Sequence, residues 1–99
     1  MAAPSHKLKS PLADYDPLAD VLHVSVDPVR PDFGEDRPRG VILRFAAKDN
    51  RPSGATVVGL AHNGWSDDVG SLGEIIAEHL GYRPGDVVAS IEEAVARDE

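Results

Sequence analysis

The stretch Asp14-Tyr15-Asp16-Pro17-Leu18-Ala19-Asp20, running into Val21-Leu22-His23-Val24-Ser25-Val26, constrains the fold more than any other. Aspartate side chains bond nearby backbone N–H groups and Pro fixes φ, so Asp14, Asp16, Pro17 and Asp20 specify a tight turn. After Asp20 the pattern has period two. Leu22, Val24 and Val26 share one face; Val21, His23 and Ser25 share the other. That alternation predicts a strand with one buried face. Asp27-Pro28 stops it, because Pro donates nothing to a ladder. A short strand beginning near Leu12 pairs back through the turn, with Tyr15 as its anchor.

The later segments look built to pair with this strand. Gly40 to Ala47 alternates Val41, Leu43 and Phe45 with Ile42, Arg44 and Ala46. Lys48 to Gly54 is a dense turn signal. Ala55 to His62 then reads as a strand with Thr56, Val58, Leu60 and His62 on one face. Gly59 within it marks a bulge or the close approach of another backbone. Short connections favour an antiparallel meander. Asp27 to Gly40, with Pro28, Pro31 and Pro38, reads as an irregular loop, in which Phe33 either tucks into the core edge or stands as an exposed contact. Trp65 suits the end of the core where sheet meets helix, given a partner for its N–H.

Ser71-Leu72-Gly73-Glu74 matches a capping box, in which Ser71 and Glu74 reciprocally satisfy each other's backbone N–H. Leu72, Ile75, Ile76 and Leu80 follow at helical spacing, and Gly81 is the C-terminal stop. Asp86 caps a last helix through about residue 97, although Val87-Val88 also suits a strand in so short a window. The expected fold is α+β: a three- to four-stranded antiparallel β-meander over 13–62, then two helices over 71–97 packed on one face. Residues 1–12 bury little and are expected to form a mobile tail, leaving 13–97 as one domain.

Composition excludes several chemistries. There is no cysteine, hence no disulfide framework, thiolate nucleophile or cysteine-ligated zinc, which suits a reducing cytoplasm. No apolar run approaches the roughly 20 residues that span a bilayer. Lys7 and Lys9 lack the apolar stretch of a secretory signal behind them. The net charge of −7 argues against autonomous nucleic-acid binding. It serves solubility or suits a basic protein partner.

The motifs of catalysis are missing. Asp14, Asp16 and Asp20 fail the calcium-loop pattern, because Leu18, Ala19 and Ser25 stand where it needs an oxygen ligand, a glycine and a glutamate. Turn capping accounts for the same aspartates. His6, His23, His62 and His79 show no His-Glu-x-x-His spacing, and His79 suits a helix C-terminus. No serine elbow and no phosphate loop is present. Neither a catalytic residue, a metal ligand nor a cofactor is assigned. The remaining candidate is a protein-binding surface: Val21, His23, Ile42, Val57 and Ala61 on the outer strand faces, with Phe33 beside them, unless terminal segments cover it.

Tyr15, Asp16, Ala19, Asp20 and Leu22, together with Val57-Val58-Gly59-Leu60, resemble the prokaryotic family called domain of unknown function 2283, with its Tyr-Asp-x-x-Ala-Asp-x-Leu-Tyr-Ile motif and later Val-Gly-Ile-Glu-Ile strand. His23 replaces the usual aromatic and Ala61 the usual glutamate. The resemblance covers roughly 13–62 and implies a small antiparallel sheet unit, some of whose relatives look like antitoxin partners of ribonuclease-type toxins. The reading is therefore a non-enzymatic interaction module, self-associating as a homodimer and antitoxin-like. Its rival is a small-molecule or metal-binding protein, or an enzyme, built on Asp14, Asp16 and Asp20 with His23 or His62.

Overall fold

Pro17 to Asp20 form the turn of the first hairpin, for the reasons their side chains dictate. Asp16 Oδ1 accepts from the N–H of Leu18 at 3.0 Å and of Ala19 at 3.3 Å. Asp20 takes the left-handed conformation (φ 59°), which Asp tolerates better than most residues. The turn joins β1 (Leu12–Asp16) to β2 (Val21–Ser25), antiparallel, with Tyr15 opposite Leu22 and Asp14 opposite His23. This structure is a computed structural model and describes residues 11–26 and 31–97. Most of the expected tail and the Asp27-Pro28 stop lie outside the described residues; Leu12, assigned to the tail, opens β1.

The sheet has five strands, not three to four. Between the first hairpin and β4 (Val41–Ala46) lies β3 (Asp32–Asp36), inside what reads as a loop. Its sequence Asp-Phe-Gly-Glu-Asp is poor in strand formers. Pairing supplies what propensity lacks: Phe33 stacks on Phe45, centroids 5.6 Å apart, and Asp32 meets Arg44 at 2.8 Å. β5 (Pro52–Val58) completes the sheet, whose order is β1-β2-β5-β4-β3. The meander is therefore corrected: β5 inserts between β2 and β4, and two hairpins flank it. β5 also ends at Val58, so Ala61 and His62 belong to the following turn. Gly59 (φ 80°) opens that turn instead of forming a bulge within the strand.

One face of the sheet is dry. Leu22, Val24, Val41, Leu43, Ala55 and Val57 lie under α1 (Val69–Leu80) and α2 (Pro84–Arg97), which contribute Leu72, Ile76, Val87, Ile91 and Ala94. Burying each large side chain fully is worth about 1.5–3 kcal/mol. α2 packs along β1 and α1 across β5. The first helix begins two residues before the expected cap. Asp68, not Ser71, is its N-cap, so Ser71 and Glu74 sit inside the helix. Gly81 closes α1 as expected, at φ 85° with its N–H on Ala77 O. α2 starts at Pro84, a residue suited to a first helical position, rather than at a cap on Asp86. No helix of the described residues is long and apolar enough to cross a membrane.

Candidate functional site

Asp20 holds the two ends of the sheet unit together. Its Oδ1 accepts from Tyr15 Oη at 2.7 Å and from Ala61 N–H at 2.9 Å, and its Oδ2 from His62 N–H at 3.0 Å. Its own carbonyl accepts from the N–H of Gly59 at 2.8 Å and of Leu60 at 3.2 Å. One residue thus receives four successive amides of the turn after β5. The Ala61 amide, then the Tyr15 hydroxyl, hold its carboxyl below the ordinary value of 3.8. Hydrogen bonding to the charged form is the cause, outweighing a small opposing effect of burial.

This arrangement bears on the metal or ligand alternative. Asp16 folds onto its own turn, and Asp14 and His23 face each other on the opposite side of the sheet from the helices. His62 meets Asp20 through its backbone N–H. Among the described residues, no three His, Asp or Glu side chains gather as a metal site.

The face turned away from the helices carries a chain of polar contacts across four strands. Thr56 Oγ1 lies 3.2 Å from His23 Nδ1 and accepts from Arg44 Nη1 at 3.3 Å. Arg44 Nη2 donates to Asp32 Oδ1 at 2.8 Å, and Ser53 Oγ donates to Asp32 Oδ2 at 3.0 Å. The register aligns Asp14, His23, Thr56, Ile42 and Asp36 in one row across the sheet. Ile42 in the row is half-buried, and beside the row stand Leu12, 54 % exposed, Val58, 48 % exposed, and the half-buried Val21. Val21, His23 and Ile42 therefore share this face. Val57 does not: it is fully buried under the helices, because β5 presents Thr56 and Val58 outward. Ala61 is exposed but lies in the turn. Phe33 is 44 % exposed on the helix side of β3.

A third feature escaped the reading of the sequence. The β3–β4 turn is the one-turn 3-10 helix Pro38–Gly40, and Arg39 in it has φ 63°. The Arg39 guanidinium lies 3.6 Å from the centroid of the buried Trp65 ring. Its Nη2 donates to Asn63 O at 3.0 Å and its Nη1 to Asp68 at 3.3 Å, while its carbonyl accepts Trp65 Nε1–H at 2.9 Å. That carbonyl is the partner the indole needs. Ser71 and then Arg39 hold the Asp68 carboxyl below the ordinary value. Next to this clamp runs an apolar groove of about 540 Å³, walled by Val41, Leu43, Trp65, Ile75, Arg37 and His79. His79 closes one end: its Nε2–H donates to Arg44 O at 2.9 Å and its ring meets Phe45 edge-on. No signal short of the β3 pairing marks Arg39 in the sequence. Arg44 was legible as an outward position on its strand; Thr56 was not, because the spacing puts Val57 outward and Thr56 on the opposite face, the reverse of what the structure has.

No protein-family model, curated protein or solved structure matches this chain.

Proposed function

We propose that the chain is a non-enzymatic protein-interaction module that self-associates as a homodimer through the open face of its sheet, and that its acidity suits it to a basic protein partner, in the manner of an antitoxin. One observation carries the reading. Val21, Ile42 and Val58 stand near one another on a face that neither helix covers, with Leu12 at the other end of the first hairpin, around a polar network that is already satisfied within the chain. Exposed apolar side chains grouped in this way mark interaction surfaces. A network whose members bond one another leaves a partner the apolar positions. The charge of −7 favours encounter with a cationic partner.

The resemblance to the prokaryotic family is supported by the chemistry of its motif. Tyr15 and Asp20 bond to each other, Asp16 caps the turn and Leu22 enters the core. The cytoplasm is the compartment that the missing cysteines favour.

Size-exclusion chromatography with light scattering tests the reading. The expected mass is that of a dimer, and Val58→Lys, which places a charge in the patch, returns the monomer. A strict monomer at every concentration, with no partner retained by the wild type and lost by Val58→Lys, overturns it.

A further inference from the structure

We propose that β3 is a docking edge that accepts an extended segment of a basic partner as a sixth strand. This goes beyond self-association through the open face and does not depend on it. In an antiparallel ladder, successive residues turn their backbone groups alternately toward and away from the neighbouring strand. Arg37 N–H donates to Val41 O, and Pro31 O accepts from Ala47 N–H. The odd-numbered residues of β3 therefore serve β4, and the N–H and C=O groups of Asp32, Gly34 and Asp36 point out of the sheet. Such a row is a template for another strand, and proteins commonly block it.

The opposite edge is blocked. On β1 the carbonyl of Ala13 points outward, and Arg97 at the end of α2 donates to it at 2.7 Å. α2 also packs along β1. On β3 the corresponding cover is slight among the described residues. Arg37 Nη1 reaches Asp36 O at 3.1 Å from an exposed position, and β3 packs mainly on β4. Gly34 in the middle of the edge carries no side chain, the Ile42 side chain occupying the place where a Cβ would stand. A second backbone can approach there.

Charge selects the occupant. β3 carries Asp32, Glu35 and Asp36 within five residues. Asp32 is paired with Arg44 and Glu35 with Arg37, but Asp36 is exposed and joins no ion pair among the described residues. A second copy pairing antiparallel about Gly34 would set Asp36 opposite Asp32 at both ends, a like-charge arrangement that opposes pairing. An incoming strand with lysine or arginine opposite Asp36, and an apolar side chain opposite the half-exposed Phe33, meets both neighbours favourably.

The probe is a capped heptapeptide of alternating lysine and valine. Its controls are the same peptide N-methylated along one edge and a counterpart with glutamate for lysine. Binding is read from the backbone amide resonances of the full chain, wild type and Asp36→Lys. The expected result is saturable shifts centred on 32–36, with the N-methylated peptide about tenfold weaker because its edge cannot pair. Asp36→Lys should reverse the preference from the lysine to the glutamate peptide. Equal binding of the N-methylated peptide, shifts centred on Asp14, Asp16 or the acidic face of α2, or an unchanged preference in Asp36→Lys each overturns the proposal. None of these results alters the mass in solution, so they are separable from a failure of the dimer.

Discussion

The two hairpins that flank β5 lean on the same segment, Gly59 to Trp65, and opposite chemistry fastens them there. The β1–β2 turn presents an anion. Asp20 collects the amides of Gly59, Leu60, Ala61 and His62 with its carbonyl and carboxylate. The β3–β4 turn presents a cation. Arg39 donates to Asn63 O, stacks on Trp65 and accepts the indole N–H on its carbonyl. Both residues have positive φ, 59° and 63°. Asp adopts that conformation at little cost, and Arg needs its surroundings to hold it there. The anionic latch thus rests on the carbonyl and carboxylate of one residue, which serve four backbone amides of a distant turn. The cationic clamp depends on an aromatic ring supplied from elsewhere, so its strength lies in packing rather than in charge.

The largest expected effect follows from that difference. Trp65→Ala removes the ring under Arg39 along with a buried indole and should cost about 3–5 kcal/mol in chemical denaturation. Amide exchange should quicken first in β3 and β4. Asp20→Ala removes the acceptors of two backbone amides and the Tyr15 hydroxyl and leaves a non-glycine residue at positive φ, for about 2 kcal/mol, felt first in β1 and the turn after β5. A larger cost for Asp20→Ala than for Trp65→Ala would reverse the comparison and make the anionic latch the main fastening.

The latch also has a pH signature that substitution at Asp20 isolates from that of Asp68 in the clamp. The Asp20 carboxyl is depressed below its unfolded value of 3.8. The unfolded chain therefore binds this proton more readily, and the stability from the carboxylate is present above that value and lost as pH falls through the lower folded value. The gap in stability between wild type and Asp20→Asn should be constant from pH 7 to about 5 and close progressively below about pH 4. A gap that persists unchanged in acid would show that shape, not charge, holds the turn.

The same contrast explains what was legible in the sequence. The bonds of Asp20 to the Ala61 and His62 amides cross 41 and 42 positions of sequence and were not readable. Asp16 and Pro17 act within their own turn, so local turn chemistry exposed that turn and β2. Leu72, Ile76 and Gly81 were readable for a similar reason, since helical spacing is local. β3 was not readable, because Asp-Phe-Gly-Glu-Asp becomes a strand only against Phe45 and Arg44. Reading Ala55 to His62 as one strand puts Val57 on the outer face, but the chain leaves the sheet at Gly59 and Val57 is buried. Ser71 yielded the cap to Asp68 because Val69 and Gly70 already lie in the first turn. The polar row from His23 to Asp32 joins four strands, and its membership follows from register rather than spacing.

Arg39→Lys tests the clamp more gently. Lysine keeps the charge but cannot stack flat on the indole or span Asn63 O and Asp68 with one planar group. The expected loss is about 1 kcal/mol, and β3 amide exchange should report it while β1 stays unchanged. Equal loss of protection in both hairpins would mean that the segment between Gly59 and Trp65 moves as one body.

The smallest change in stability belongs to Arg97→Ala, and it tests the contrast between the edges most directly. Arg97 is exposed, and its bond to Ala13 O is a single one, so its removal should cost about 0.5 kcal/mol or less in a thermal melt. Its effect on recognition should be larger. Without the guanidinium the outward carbonyl of Ala13 is free, and Asp14 and Asp16 stand on the open face of the same strand. β1 then carries what marks β3: unpaired backbone beside acidic side chains. The lysine–valine peptide should acquire a second site, with amides of 12–16 joining those of 32–36 and titrations fitting two peptides per chain. A stoichiometry that stays at one would assign the closure of β1 to the body of α2 lying along it. The difference between the two edges would then be a matter of helix coverage, with Arg97 an ornament on a strand already shut.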